Sequence, residues 1–118
     1  MVLLRFHLMT NKPLHPLCTD LQNQVAACVG PVQLAFDTYQ NSCFIARPAE
    51  FFCLELCGEA GELANLEKKL WKGADIPTHR LEEEAADVLI SLMNYANARG
   101  IDLAAAVTAK LAHIPTSK

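Results

Sequence analysis

Two pairs of carboxylates constrain this chain more than any other feature. Glu59 and Glu62 stand three residues apart in Cys57-Gly-Glu-Ala-Gly-Glu-Leu63, and Glu84 and Asp87 do the same in Glu83-Glu-Ala-Ala-Asp-Val-Leu89. Both stretches lie in runs of helical period. Helix positions three apart share a face, with Cβ atoms about 5–6 Å apart. If the two helices pack along those faces, four acids converge on one volume. Two such charges 4 Å apart repel by about 4 kcal/mol even at an effective dielectric of 20. Such a fold therefore needs protons or cations among its acids.

The rest of the chain reads as helix. The spacing predicts a long helix from about Pro48 to Trp71, ending before Gly73. A second runs from an N-cap at Thr78 to Arg99, with Gly100 at its C-terminal stop. Asp102 caps a last helix from Leu103 to about His113. Before these, residues 10–19 read as an irregular lead-in. Asp20 then opens a short helix striped by Leu21, Val25, Cys28 and Val29 and ended by Gly30-Pro31. Asp37 and Gln40 have the form of a capping box for another helix, stopping at Arg47-Pro48. No alternating β-branched run of strand length occurs. The expected fold is all-α: a helical bundle of two long antiparallel helices plus shorter ones, completed by oligomerisation.

Composition narrows the function classes. A chain of 118 residues is most simply one domain, and a net charge of -3 with a pI near 5.7 speaks against a basic nucleic-acid-binding face. Residues 1–8 are apolar but carry Arg5 and His7, too short for a span and without a cleavage site, so neither membrane nor secretion is expected. These eight residues are expected outside the packed domain. Five cysteines (18, 28, 43, 53, 57) form no C-x-x-C pair and read as small buried hydrophobes in a reducing cytoplasm.

The helix predicted for 78–99 is apolar in nearly every direction, which marks it as buried, except for one polar line: Glu84, Asp87, Ser91 and Asn94. Such a line on a buried helix calls for a polar interior site. Gly58 and Gly61 each cost about 1 kcal/mol inside a helix. They fit close helix packing or ligand access beside Glu59 and Glu62. An all-oxygen ligand set selects Mg²⁺, with Mn²⁺ as a substitute, over zinc. A di-iron bundle would need Glu-x-x-His pairs, which Glu62 and Asp87 replace. Carboxylate-held Mg²⁺ commonly completes its shell with water and substrate phosphates. Glu55, one turn before Glu59, is a candidate base or outer ligand. Lys68, Lys69 and Lys72 fit a solvated helix end, or Lys69 a phosphate contact. Trp71 fits a packing anchor or a base-stacking ring.

Together, Leu56-Cys-Gly-Glu-Ala-Gly-Glu-Leu63, Lys68-Lys69 and Glu84-Ala-Ala-Asp-Val-Leu89 resemble the MazG-like all-α NTP pyrophosphatases, with their E-x-x-E, spacer and E-x-x-D. Asp37-Thr-Tyr-Gln40 and Gly100-Ile-Asp-Leu103 are similar to further family segments. The resemblance covers about residues 36–112. It implies a pyrophosphohydrolase domain at 36–114 behind an N-terminal extension, 1–35, with a short helix. It further implies Mg²⁺-dependent cleavage of (d)NTP to (d)NMP and pyrophosphate, a nucleotide-pool housecleaning role. Glu59, Glu62, Glu84 and Asp87 would hold the metal, Glu55 and Glu59 would serve catalysis, and Lys69, Trp71, Ser91, Asn94 and Lys110 would contact substrate. Family members assemble as homodimers or homotetramers, and no nucleic-acid polymer is implied.

The dCTP-cleaving relatives have an aromatic one turn after the aspartate, where this chain has Ser91. They have an asparagine one turn after the lysine matching Lys110, where it has Ile114. These departures leave the base open. Two alternatives stand beside this reading: a phosphoribosyl-ATP pyrophosphohydrolase-like enzyme, and a non-catalytic helical interaction protein whose acids are surface charges.

Overall fold

The computed structural model describes residues 13–118. Four helices make up the described chain: α1 (Pro16–Cys43), α2 (Ala49–Trp71), α3 (Thr78–Arg99) and α4 (Leu103–Leu111), with no strand. The all-α expectation holds among the described residues, and no helix there is long and apolar enough to cross a membrane. Residues 1–8, expected outside the packed domain, lie outside the described residues. The chain divides into two compact units, Leu34–Ile101 and the chain up to Gln33 with Asp102–Lys118. The boundary falls inside α1.

In the first of these units, α2 and α3 form an antiparallel hairpin. Ala49, Phe52, Leu56, Glu59, Leu63, Leu66 and Leu70 recur at helical spacing, and all are buried or half-buried. On α3 the inward stripe is Leu81, Glu84, Val88, Ser91 and Tyr95, flanked by buried Met93, Asn94 and Ala96. Each stripe is apolar except for polar insertions, and one acid of each doublet, Glu59 or Glu84, lies within it. Glu50 at the start of α2 pairs with Arg99 at the end of α3, at 3.2 Å, as the antiparallel sense allows. The Glu50 carboxyl lies below its ordinary value because its own backbone N–H and then Arg99 stabilise the charged form.

Both hairpin helices end in the same motif. Gly73 takes φ 92° and Gly100 φ 68°, a region costly for residues with a Cβ. Ala74 N–H donates to the Lys69 carbonyl and Ile101 N–H to that of Ala96, closing the last turns. The predicted limits of α2 and α3 hold to within a residue. Thr78 is inside the helix rather than its cap, a place taken by Pro77. Asp102 caps α4 as predicted, its Oδ1 accepting from Ala105 N–H at 3.1 Å.

The larger correction concerns α1. Two short helices, stopped by Gly30-Pro31 and restarted at Asp37, are instead one helix that begins at Pro16 and contains Pro31. Proline removes one intrahelical bond and costs about 3 kcal/mol there. Gly30 before it has no Cβ to collide with the ring. The helix persists because its inward stripe is unbroken: Cys18, Gln22, Val25, Val29, Gln33, Phe36 and Gln40 are all buried or half-buried. In the unit ending at Gln33, that stripe is tied to α4. Gln22 Nε2 donates to the Thr108 carbonyl at 2.9 Å, Cys18 Sγ to that of Leu111 at 3.5 Å, and Gln33 Oε1 accepts from Leu103 N–H at 3.0 Å. Leu21 and Cys28, predicted on the packed stripe, are exposed.

Candidate metal centre

Antiparallel packing brings the middle of α2 against the first turns of α3. One carboxylate oxygen each from Glu59, Glu84 and Asp87 lies within 4.8 Å of the others. Glu59 and Glu84 are half-buried in the two stripes, while Asp87 is exposed and opens the cluster to solvent. Glu62, also exposed, lies next to Glu84 and acts on it by hydrogen bonding and charge. Three of the four acids expected to converge therefore meet, while Glu62 stands beside Glu84 outside the triad.

Glu84 bears the cost of this arrangement. Its Oε2 is sealed from water and receives no hydrogen bond. Loss of solvation, followed by proton sharing with and repulsion from Glu59 and Glu62, pushes its carboxyl from the ordinary 4.5 up to about 7. A sealed acceptor without a donor, among like charges, is the environment that a cation relieves. One oxygen from each of three carboxylates, gathered within 4.8 Å, is the hard donor set that Mg²⁺ takes, with water completing its shell. These residues fit a hard divalent cation.

Other predicted site residues lie elsewhere. Glu55 is exposed on α2, outside the triad. Lys69 is exposed near the end of α2, and Trp71 is 90% exposed, which removes the packing-anchor reading within this chain. Ser91 and Asn94 are buried, with 5% and 6% exposure, so the polar line on α3 does turn inward beyond Asp87. The all-round burial expected of α3 is not found, because Leu89 and Ile90 remain 49% and 41% exposed. Lys110 is exposed on α4, in the other compact unit.

Among the described residues, nothing approaches Gly58 or Gly61. A Cβ built on either has open space within 4 Å, so intrachain helix packing does not require them. Nor are the cysteines uniformly buried: Cys28, Cys43 and Cys57 are exposed, and Cys18 and Cys53 half-buried.

Sequence reasoning missed a pocket of about 190 Å³ two turns from the acids, between the end of α1, the start of α2 and the end of α3. Gln40, Asn41, Arg47, Phe52, Asn94 and Asn97 are among its lining residues. Asn94 alone was read as a site residue, whereas Asp37, Gln40 and Arg47 were read only as helix-boundary signals. The signal available for Gln40 was its register with Gln22 and Gln33, which a break at Pro31 obscures. Comparison with family models, with curated proteins and with solved structures gives no significant match to the chain.

Proposed function

We propose that this protein is a Mg²⁺-dependent nucleoside triphosphate pyrophosphohydrolase, converting (d)NTP to (d)NMP and pyrophosphate. The observation that carries the reading is the convergence of Glu59, Glu84 and Asp87 oxygens within 4.8 Å across two helices. The motif resemblance supplies the reaction class. Glu59, Glu84 and Asp87 would hold the ion, and Glu62 would join through its place beside Glu84. When bound, Mg²⁺ neutralises phosphoryl charge and acidifies a coordinated water.

The chain's own groups do the rest. Glu84 releases its proton on loading. Glu55, outside the triad, takes the proton of the attacking water on a carboxylate oxygen. The water oxygen bonds to phosphorus, the bridging P–O bond between α and β phosphates breaks, and its electron pair leaves on pyrophosphate. Lys69, exposed near the end of α2, meets phosphate charge. Exposed Leu54, Leu89 and Ile90 (73%, 49% and 41%) support a homodimer or homotetramer, with open Gly58 and Gly61 allowing close approach. The reading places the protein in the cytoplasm, in nucleotide housecleaning.

The same exposed apolar side chains favour a second reading, a non-catalytic helical interaction protein. Pyrophosphate release from a panel of dNTPs, NTPs and phosphoribosyl-ATP, with Mg²⁺ and with EDTA, separates the readings. Mg²⁺-dependent release is expected, and turnover on phosphoribosyl-ATP alone would move the assignment to that relative. No release from any substrate favours the interaction protein.

A further inference from the structure

The pocket at the other end of the hairpin carries two opposite charges that do not neutralise each other. It lies wholly within the unit Leu34–Ile101, and Asp37 and Arg47 are both among its lining residues. Among the described residues neither of them forms an ion pair. Asp37 is half-buried, and its Oδ1 accepts from Asn41 Nδ2 at 3.1 Å. Its Oδ2 is neither bonded within the described residues nor sealed from solvent. The central carbon of the Arg47 guanidinium sits 4.8 Å from the centre of the Phe51 ring. Phe51 in turn meets Phe52 edge to face, with centroids 5.5 Å apart and ring planes at 82°. Phe52, 5% exposed, belongs to the core and also lines the pocket. A buried ring thus holds a second ring, and the second ring holds an exposed guanidinium. Stacking engages the face of that guanidinium and leaves its in-plane N–H donors for an anion.

Charge and size narrow the ligand. The rest of the lining is carboxamide or apolar, so the formal charges of the pocket cancel. A simple anion drawn to Arg47 meets Asp37, and a simple cation drawn to Asp37 meets Arg47. A molecule that carries both charges a few bonds apart satisfies both residues at once. At about 190 Å³ the pocket lies below the roughly 300–1,000 Å³ of cavities that enclose a drug-sized molecule, so the ligand is compact. A free α-amino acid has these properties, with its ammonium and carboxylate on adjacent carbons. An apolar side chain suits the Phe52 and Ile45 part of the lining.

We propose that this pocket binds a free α-amino acid with a small apolar side chain, its ammonium on Asp37 and its carboxylate on Arg47. The site is separate from the acids, and the inference does not rest on the hydrolase reading. Full-length ¹⁵N-labelled protein in EDTA is titrated to millimolar levels with glycine, L-alanine, L-valine and L-leucine. NMR follows the side-chain amide of Asn41, which is bonded to Asp37, and the guanidinium N–H signal of Arg47. At least one of these amino acids should shift both signals saturably. The N-acetyl derivative of the tightest binder lacks the ammonium, and its carboxamide lacks the carboxylate. Each derivative should bind at least tenfold more weakly than the parent. Asp37→Asn keeps an oxygen for Asn41 and removes the charge, and Arg47→Gln changes an exposed side chain. Each variant should weaken binding at least tenfold, and should one fail to fold, the other decides together with the two derivatives. No shift with any of the amino acids, or equal binding by a folded variant, overturns the proposal. Equal binding by the N-acetyl derivative also overturns it, by revealing a plain carboxylate site, and equal binding by the carboxamide does so by revealing an amine site. Metal and nucleotide are absent from this titration, so Mg²⁺-dependent pyrophosphate release stands or falls separately.

Discussion

The two ends of the α2–α3 hairpin use the same packing to make opposite environments. At the acid end, inward Glu59 and Glu84 replace apolar side chains at stripe positions, and burial raises the Glu84 carboxyl to about 7. At the carboxamide end, Asn94 is buried, as are Phe52, Met93 and Ala96. One end spends stability on charge that a proton or a cation neutralises. The other holds neutral polar groups within an apolar surround and leaves one buried acceptor, Asn94 Oδ1, without a partner among the described residues.

The largest expected effect lies at the packed end. Phe52→Ala should lower unfolding free energy by about 3–5 kcal/mol, read from urea denaturation. A loss under 1 kcal/mol would mean that this end is not the hairpin's anchor. At the acid end, Asp87→Asn should leave the urea midpoint within 0.5 M of the native chain while reducing Mg²⁺-dependent pyrophosphate release by about two orders of magnitude. Equal losses of stability and activity would erase the contrast between the ends.

A pH series sharpens the comparison further. With the folded Glu84 carboxyl at about 7 and its ordinary value 4.5, the folded chain retains a proton that the unfolded chain releases. In EDTA, this group should therefore lower the melting temperature as pH rises from about 4.5 to 7, with no further effect above. Glu84→Gln should flatten that slope. Cation binding displaces the same proton, so Mg²⁺ affinity should weaken up to tenfold for each pH unit below 7. The smallest effect belongs to Trp71, 90% exposed at the far end of α2. Trp71→Ala should change stability by no more than about 0.5 kcal/mol in the same urea experiment.

The hairpin was legible because its signals are local and agree. Period, the Gly73 and Gly100 stops and the acid spacing all lie within a few residues of what they determine. α1 was not, because Gly30-Pro31 is a strong local stop outvoted by an inward stripe extending from Cys18 to Gln40. The acids were found since a doublet at i, i+3 declares its own face. The pocket escaped notice because it joins Gln40 to Asn94 across 54 residues, and neutral amides carry no charge pattern to betray the meeting. Exposure of Leu89 and Ile90 was hidden for another reason. An apolar position declares that something covers it, but not whether the cover lies in the same chain.

The most direct test of the central claim is thermal melting at pH 8 with titrated Mg²⁺, on the native chain and on Glu62→Gln/Asp87→Asn. A cation bound only by the folded state stabilises it by RT ln(1 + [L]/Kd), about 2.7 kcal/mol at a hundredfold excess over Kd. The account predicts a Mg²⁺-dependent rise in the native protein that disappears in the double variant. A native melting temperature indifferent to Mg²⁺, or an equal rise in both proteins, would contradict it.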